Sequence, residues 1–413
     1  MLSDGMSCKT LRRRVTRANK RAQKSSKRLR QRARLGAAEF VRSFAEDALH
    51  AKQLQAMTTT LEGTLESGRL SITAVGRALG EMCGEQPKHH VKQVDRFIGN
   101  EKIDDHQLQQ RWARQVIGGL TRVVVAIDWT DFDDDGQAVI AISAIGDKGR
   151  ATPLVWETVE KSKLKKNRNR LETLVIERLH EAVDETVEVI LLADRGFGDV
   201  ERYAQLQNLG WYFVIRFRAA VHMALTDEGK LSPAGGHVPK SGRARLYARP
   251  VLTAKRAEVA GVVAIHKKGM KDAWLLAAHL PADLMKAKTI TNLYAKRFRI
   301  EETFRDLKDP RFGVGFSTVK VTTPLRRNRF LLLQAMAHAM LELLGQAGEN
   351  LGMHKGLQAN TSKKRQLSLF RQGQFWVRAI WNRPEEDELK MLAEFGRLVQ
   401  ENTFFGEVFE AMK

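Results

Sequence analysis

The chain has 413 residues, a formal net charge of +21 and a pI near 10.1. That length allows a large core in two or three domains, and that charge implies a polyanionic partner, nucleic acid before membrane. Two cysteines, Cys8 and Cys83, exclude a disulfide framework and a cysteine-based metal centre, and suit a reducing cytoplasm. The basic N-terminus lacks the apolar segment of a secretory signal. The longest apolar run, 330–344, is interrupted by Gln334, His338 and Glu342 and is too short to span a bilayer, so no membrane partner is expected.

Residues 1–36 form a basic arm with a single acid, Asp4. Self-repulsion keeps such a segment unfolded in isolation, either as a solvated tail or as a sequence-blind binder of phosphates. From 37 to 118 the pattern is helical. A short helix is expected over 71–80, capped by Ser71 and stopped by Gly80. After a turn, 88–98 reads as a second helix with Val91, Val94, Phe97 and Ile98 inward and Lys88, His89, Lys92 and Arg96 outward. A helix, a turn and a basic helix suit a reader of the major groove, although a helical bundle with a basic surface has the same pattern. His89 and His90 point about 100° apart on a helix, and no further ligand completes a zinc site.

The β-branched run 122–132 reads as a buried strand carrying Asp128 towards its end. The acids at 133–135 before Gly136 mark a tight turn, with antiparallel strands expected at 137–144 and 152–158. A basic loop at 161–166 and a helix over 168–183 follow. Residues 187–197 then repeat the first design, an apolar strand with an aspartate, Asp194, at its tip and a glycine turn beyond. Side chains at the rim of a sheet are where ligands gather in α/β folds. Asp128 taken alone reads as a strand cap, and Arg195 could equally pair with Asp194 and hold it ionised for structural reasons. A helix (200–210) and a strand (211–217) complete this part, and 220–280 alternates β-prone pieces with glycine-rich and basic turns.

Residues 294–308 contain no glycine or proline and read as one helix. Tyr294, Arg297, Glu301 and Lys308 fall within about 60° around its axis, beside an apolar stripe of Leu293, Ile300, Phe304 and Leu307. The bland interpretation is a solvated charged face. The spacing Y-x2-R-x3-E-x6-K, however, resembles the motif of bacterial cut-and-paste transposases of the insertion-sequence-four family. The run Ile-Asp-Trp-Thr-Asp around Asp128 and the run Ala-Asp-Arg-Gly-Phe around Asp194 resemble the family's other two catalytic motifs.

The resemblance implies an α/β fold, with a ribonuclease-H-like catalytic core at 119–219 and 281–345 and a β-rich insertion at 220–280. A helical N-terminal DNA-binding region lies at 37–118 and a helical C-terminal region at 346–413. It implies Asp128, Asp194 and Glu301 as catalytic ligands of Mg2+, with Mn2+ substituting. It also implies DNA contacts from Tyr294, Arg297, Lys308 and Trp274, the last by stacking on a displaced base. The implied partners are double-stranded DNA, as inverted-repeat ends and as target, and a second subunit in a synaptic homodimer. The implied location is the bacterial cytoplasm, at the nucleoid. A nuclease of the same core without strand transfer, and a non-catalytic DNA-binding regulator, are the alternatives. Finally, 323–345 is expected to be a long helix backing the sheet, and 385–413 one or two amphipathic helices.

Overall fold

The structure, a computed structural model, describes residues 36–146, 150–253, 255–311, 313–362 and 364–401. The basic arm therefore lies outside the described residues except for Gly36, and so does the tail beyond 401. The described chain divides into two compact units, one of residues 36–108 with 307–401 and the other of residues 109–306.

The first unit is helical. It holds α1 (Ala37–Ala45), α2 (Ala51–Ser67), α3 (Ile72–Cys83), α4 (Pro87–Ile98) and the start of α5 (Asp105–Ile117). Ser71 caps α3 through the Ala74 N–H, as expected. The stop is not Gly80 but Gly84, which takes the left-handed conformation at φ 72°. Gly80 lies inside α3 because a side chain there would collide with Pro87 of α4, and Gly76 likewise admits the backbone of Val91. Two helices thus cross at backbone contact around a three-residue turn. On α4, Val94, Phe97 and Ile98 are buried while Lys88, His89, Lys92 and Arg96 are exposed. His90 turns inward and pairs with Glu85 at 3.0 Å.

The second unit is built on a mixed eight-stranded sheet ordered β3-β2-β1-β4-β5-β12-β11-β8. β1 (Arg122–Phe132), β2 (Gln137–Ile145) and β3 (Ala151–Glu160) form an antiparallel meander, with the expected acidic turn at Asp133–Asp135. β4 (Glu188–Ala193) and β5 (Tyr212–Arg216) run parallel to β1 on its other side. α6 (Arg168–His180) packs on β2 and β3, and α7 (Val200–Asn208) on β5. From α5, Trp112 donates to the Pro153 carbonyl at 2.7 Å, and Gln109 accepts from the Trp156 N–H at 2.9 Å.

The stretch 220–280 is not a self-contained insertion. β8 (Arg245–Ala248), β11 (Gly261–Ile265) and β12 (Trp274–His279) extend the main sheet from the edge of β5. β11 is buried throughout, and pairing with β12 next to β5 satisfies backbone groups that would otherwise be exposed edges. Only β6 (His222–Ala224), β7 (Ser232–Pro233), β9 (Val251–Leu252) and β10 (Ala257–Glu258) stand apart, as a small four-stranded sheet.

The expected single helix over 294–308 is two, α8 (Ala287–Lys296) and α9 (Phe298–Lys308), separated by Arg297. The Arg297 N–H bonds to Tyr294 and the Ile300 N–H to Arg297, three residues back in each case, which tightens the turn at that point. Beyond it come α10 (Pro324–Asn350), α11 (Leu369–Ala379) and α12 (Glu385–Gln400). α10 corrects one expectation. At 27 residues it is long and apolar enough to cross a bilayer, but 89% of its apolar window is buried inside the protein. Within its own unit α10 packs against the helices α11, α12, α2 and α4.

The start of α10 secures the end of α4. Arg329 is fully buried; it binds Asp105 at 2.5 Å and donates to the carbonyls of Phe97 at 3.1 Å and Ile103 at 3.3 Å. A cation at a helix C-terminus is favoured by the helix dipole as well as by these bonds. Asp105→Ala strands that buried charge and is expected to lower unfolding free energy by about 3–5 kcal/mol. Denaturant titration checks it; the double replacement Asp105→Leu with Arg329→Met should cost clearly less, and equal losses would contradict a net-unfavourable lone charge.

Candidate active site

β1 and β4 pair in parallel, with Ile127 opposite Ala193 as the last matched residues. Continuing that register sets Asp128 across from Asp194, on strands about 4.8 Å apart. Asp194 sits where β4 stops, as the sequence suggests. Asp128 does not sit at a strand tip, because β1 continues four residues further in its hairpin with β2. It lies at the rim only because its parallel neighbour ends there. Asp194 accepts the Gly196 N–H at 2.7 Å, a turn that fixes one of its oxygens. Arg195 is turned away and pairs with Asp272 at 3.7 Å, so it is not the partner of Asp194.

Glu301 reaches the same rim through Arg297. That guanidinium, 6% exposed, binds Asp128 Oδ2 at 3.2 Å with one amino group and Glu301 Oε1 at 2.5 Å with the other. Asp128 also accepts the Trp129 N–H at 2.8 Å. Burial pushes the Asp128 carboxyl up to about 6; Arg297 opposes this, and the charges of Asp194 and Glu301 add to it. Burial disfavours the charge on Arg297, but Tyr294, Glu301 and Asp128 outweigh it, so the cation is held firmly.

The helix that presents Glu301 is fastened to β3 by residues that sequence reasoning did not single out. Arg150 donates to Asp306 and to Glu302, each at 2.7 Å, and Thr303 donates to the Ala151 carbonyl at 2.8 Å. Arg150 precedes a strand 156 residues before Asp306, and no local pattern connects the two. Arg297 was expected on the charged face as a DNA contact; the structure instead sets it inward, as the link between two acids.

Tyr294 also faces inward. It is 1% exposed because α8 packs on β4, β5, β11 and β12, and its ring meets Trp274 edge-on at 4.9 Å. Burial raises its phenol, with Arg297 and Arg216 working against it. The buried Tyr294 ring therefore supports the Arg297 turn and does not present itself to a phosphate, and part of the half-buried Trp274 ring is taken up by it. Lys308 ends α9, half-buried, in the helical unit, where its carbonyl accepts from Ser317. Lys88, Lys92 and Arg96 stand together on the exposed face of α4. Beside Asp194 opens a cleft of about 540 Å3, with Arg195, Arg218 and Lys255 at its edge and Tyr203, Phe217 and Leu252 in its floor.

Three carboxylates are the hard oxygen donors that divalent cations such as Mg2+ take. The chemistry of the donors fits such an ion: burial raises the Asp128 carboxyl first and the charges of Asp194 and Glu301 add to it, and a bound cation would favour the ionised form against both. Among the described residues no three acidic or histidine side chains already form a preassembled metal cage; Arg297 supplies the positive charge that holds Asp128 and Glu301. Because the folded protein binds the Asp128 proton more tightly than the unfolded chain, stability in the absence of divalent ions should fall as pH rises from about 4 to about 6. The loss is expected to be on the order of 3 kcal/mol at most. Thermal unfolding across that range checks it: Asp128→Asn should flatten the decline, and an unchanged profile would contradict the strained carboxyl.

A family model described as the transposase DDE domain matches residues 142–340, a span that takes in Asp194, Arg297, Glu301 and Lys308 and begins after Asp128. No curated protein is matched. Over that span the chain is similar to the DDE domain of transposases.

Proposed function

We propose that this protein is a cut-and-paste DNA transposase of the insertion-sequence-four type. It binds the inverted-repeat ends of its element, cleaves them and joins the freed 3′-hydroxyl to target DNA. The observation that carries the reading is the meeting of Asp128, Asp194 and Glu301 at one rim, the first two by strand register and the third through Arg297. The meander β1–β3 with two parallel strands beside it supports a ribonuclease-H-like core.

Asp128, Asp194 and Glu301 would hold Mg2+ or Mn2+. When bound, these ions supply activation of the attacking oxygen and stabilisation of the leaving one in an in-line displacement at phosphorus. The protein's own part is alignment. Gly196 fixes one oxygen of Asp194, Trp129 one oxygen of Asp128, and Arg150 with Thr303 keeps α9 in place under Glu301. Arg297 neutralises Asp128 and Glu301 before substrate arrives, which spares the folded protein the repulsion of neighbouring acids. Arg195, Arg218 and Lys255 around the cleft beside Asp194 give the DNA backbone an attractive path to the rim.

End recognition belongs to α3 and α4. Lys88, Lys92 and Arg96 share an exposed helix face, and the close crossing at Gly76 and Gly80 makes the pair rigid enough to enter a major groove as one body. Two copies bring the two ends of the element together as a synaptic homodimer, in the bacterial cytoplasm. Strand transfer of a 3′-hydroxyl end into plasmid DNA separates this reading from a nuclease that only cuts.

The direct test is Glu301→Gln, with binding and nicking of DNA from the flanks of its gene measured separately. Removing one ligand should cost several kcal/mol of transition-state stabilisation, at least about a 100-fold loss of nicking, with binding retained. Nicking at the wild-type rate would reject the assignment.

A further inference from the structure

The matched pairing of β1 with β4 ends at Ile127, so Asp128 and Trp129 lie on a stretch of β1 that is paired with β2 alone. Side chains alternate along a strand, and these two therefore point to opposite faces of the sheet. On the face away from Asp128, the Trp129 indole N–H donates to Glu172 Oε1 of α6 at 2.9 Å. Glu172 is 5% exposed, and its other oxygen accepts from Arg202 of α7 at 3.3 Å. Arg202, 6% exposed, is held in turn: it donates to the Thr173 hydroxyl at 3.1 Å, to the Asn169 carbonyl at 3.3 Å and to Gln205. The Arg168 guanidinium lies 4.9 Å from the centre of the Trp129 ring. A chain of buried contacts thus runs from α7 through α6 to the residue whose backbone N–H binds Asp128.

A buried ion pair is seldom worth more to stability than apolar side chains of the same size. What apolar side chains could not do is accept the indole N–H. We infer, resting on the reading of the three acids as ligands of a divalent cation, that Glu172 and Trp129 are positioning residues for Asp128, with Arg202 keeping the Glu172 carboxylate in place. The indole bond fixes the rotation of residue 129 about the strand just where β4 has stopped supporting it. That sets the direction of the Trp129 N–H, and with it the Asp128 oxygen that accepts it at 2.8 Å. Both side chains act through Asp128, by holding its carboxylate in the orientation a cation needs before the cation arrives.

The experiment uses the full chain. Mn2+ affinity is read from the free-ion electron paramagnetic resonance signal, and nicking kinetics from a duplex taken from the flank of its gene. Trp129→Phe keeps a ring beneath Arg168 and removes the indole N–H; it should weaken Mn2+ binding and lower kcat about ten-fold, with KM for DNA unchanged. Glu172→Leu, made together with Arg202→Met so that no buried cation is stranded, should do the same, and adding Trp129→Phe to that pair should cost nothing further. Glu172→Gln keeps an oxygen for the indole and should stay within about two-fold of wild type in both measurements. If Trp129→Phe lowers the denaturation midpoint but leaves Mn2+ affinity and kcat within about two-fold, the network only packs α6 and α7 together, and the inference falls while the reading of the site stands. A duplex bound but never nicked counts against the transposase reading alone, since Mn2+ affinity then decides the inference. A wild-type protein that binds no Mn2+ would overturn both.

Discussion

Carboxylates brought close together repel one another, and the site depends on how that repulsion is met. Strand register brings Asp128 beside Asp194, each the residue that follows the last matched pair of β1 with β4. The Arg297 guanidinium then ties Asp128 to Glu301. An arginine is suited to this task because its planar fork reaches two acids at once and stays charged at any ordinary pH. The tightened turn between α8 and α9 is the backbone counterpart of that demand: it points residue 297 inward while residues 298 and 301 face out.

The rest of the second unit serves this arrangement. β1 outruns β4, so a mid-strand aspartate acquires a rim position without losing its backbone pairing to β2. Arg150 and Thr303 couple the far edge of the sheet to the helix that bears Glu301, across some 150 residues of chain. The first unit carries a different design, in which glycines at helix crossings and the buried Arg329 make α4 a stiff support for exposed cations. Each unit thus carries something distinct, a basic helix face in one and an acidic rim in the other.

Much of this was legible in the chain. The apolar strands before Asp128 and Asp194, the acidic turn at 133–136 and the paired helices around residue 84 all follow from local periodicity and turn chemistry, and the structure contains them. What local pattern does not encode is long-range pairing. Periodicity marked β11 and β12 as strands but not that they would join the main sheet. Gly80 has the signature of a helix stop until Pro87 is seen packed against it. Tyr294 and Arg297 share a helical face with Glu301 by spacing, yet packing on the sheet and the turn at Arg297 draw both inward. Arg150 carries no signal at all until β3 and α9 are side by side.

The central claim is that Asp128, Asp194 and Glu301 act together on a divalent cation. Mn2+ binding to the full protein, followed by the loss of the free-ion electron paramagnetic resonance signal, tests it without reference to catalysis. Asp128→Asn, Asp194→Asn and Glu301→Gln should each weaken binding at least about ten-fold, while Asp133→Asn, in the nearby hairpin turn, should leave it unchanged. Undiminished Mn2+ affinity in the Asp194 or Glu301 variant would contradict the account.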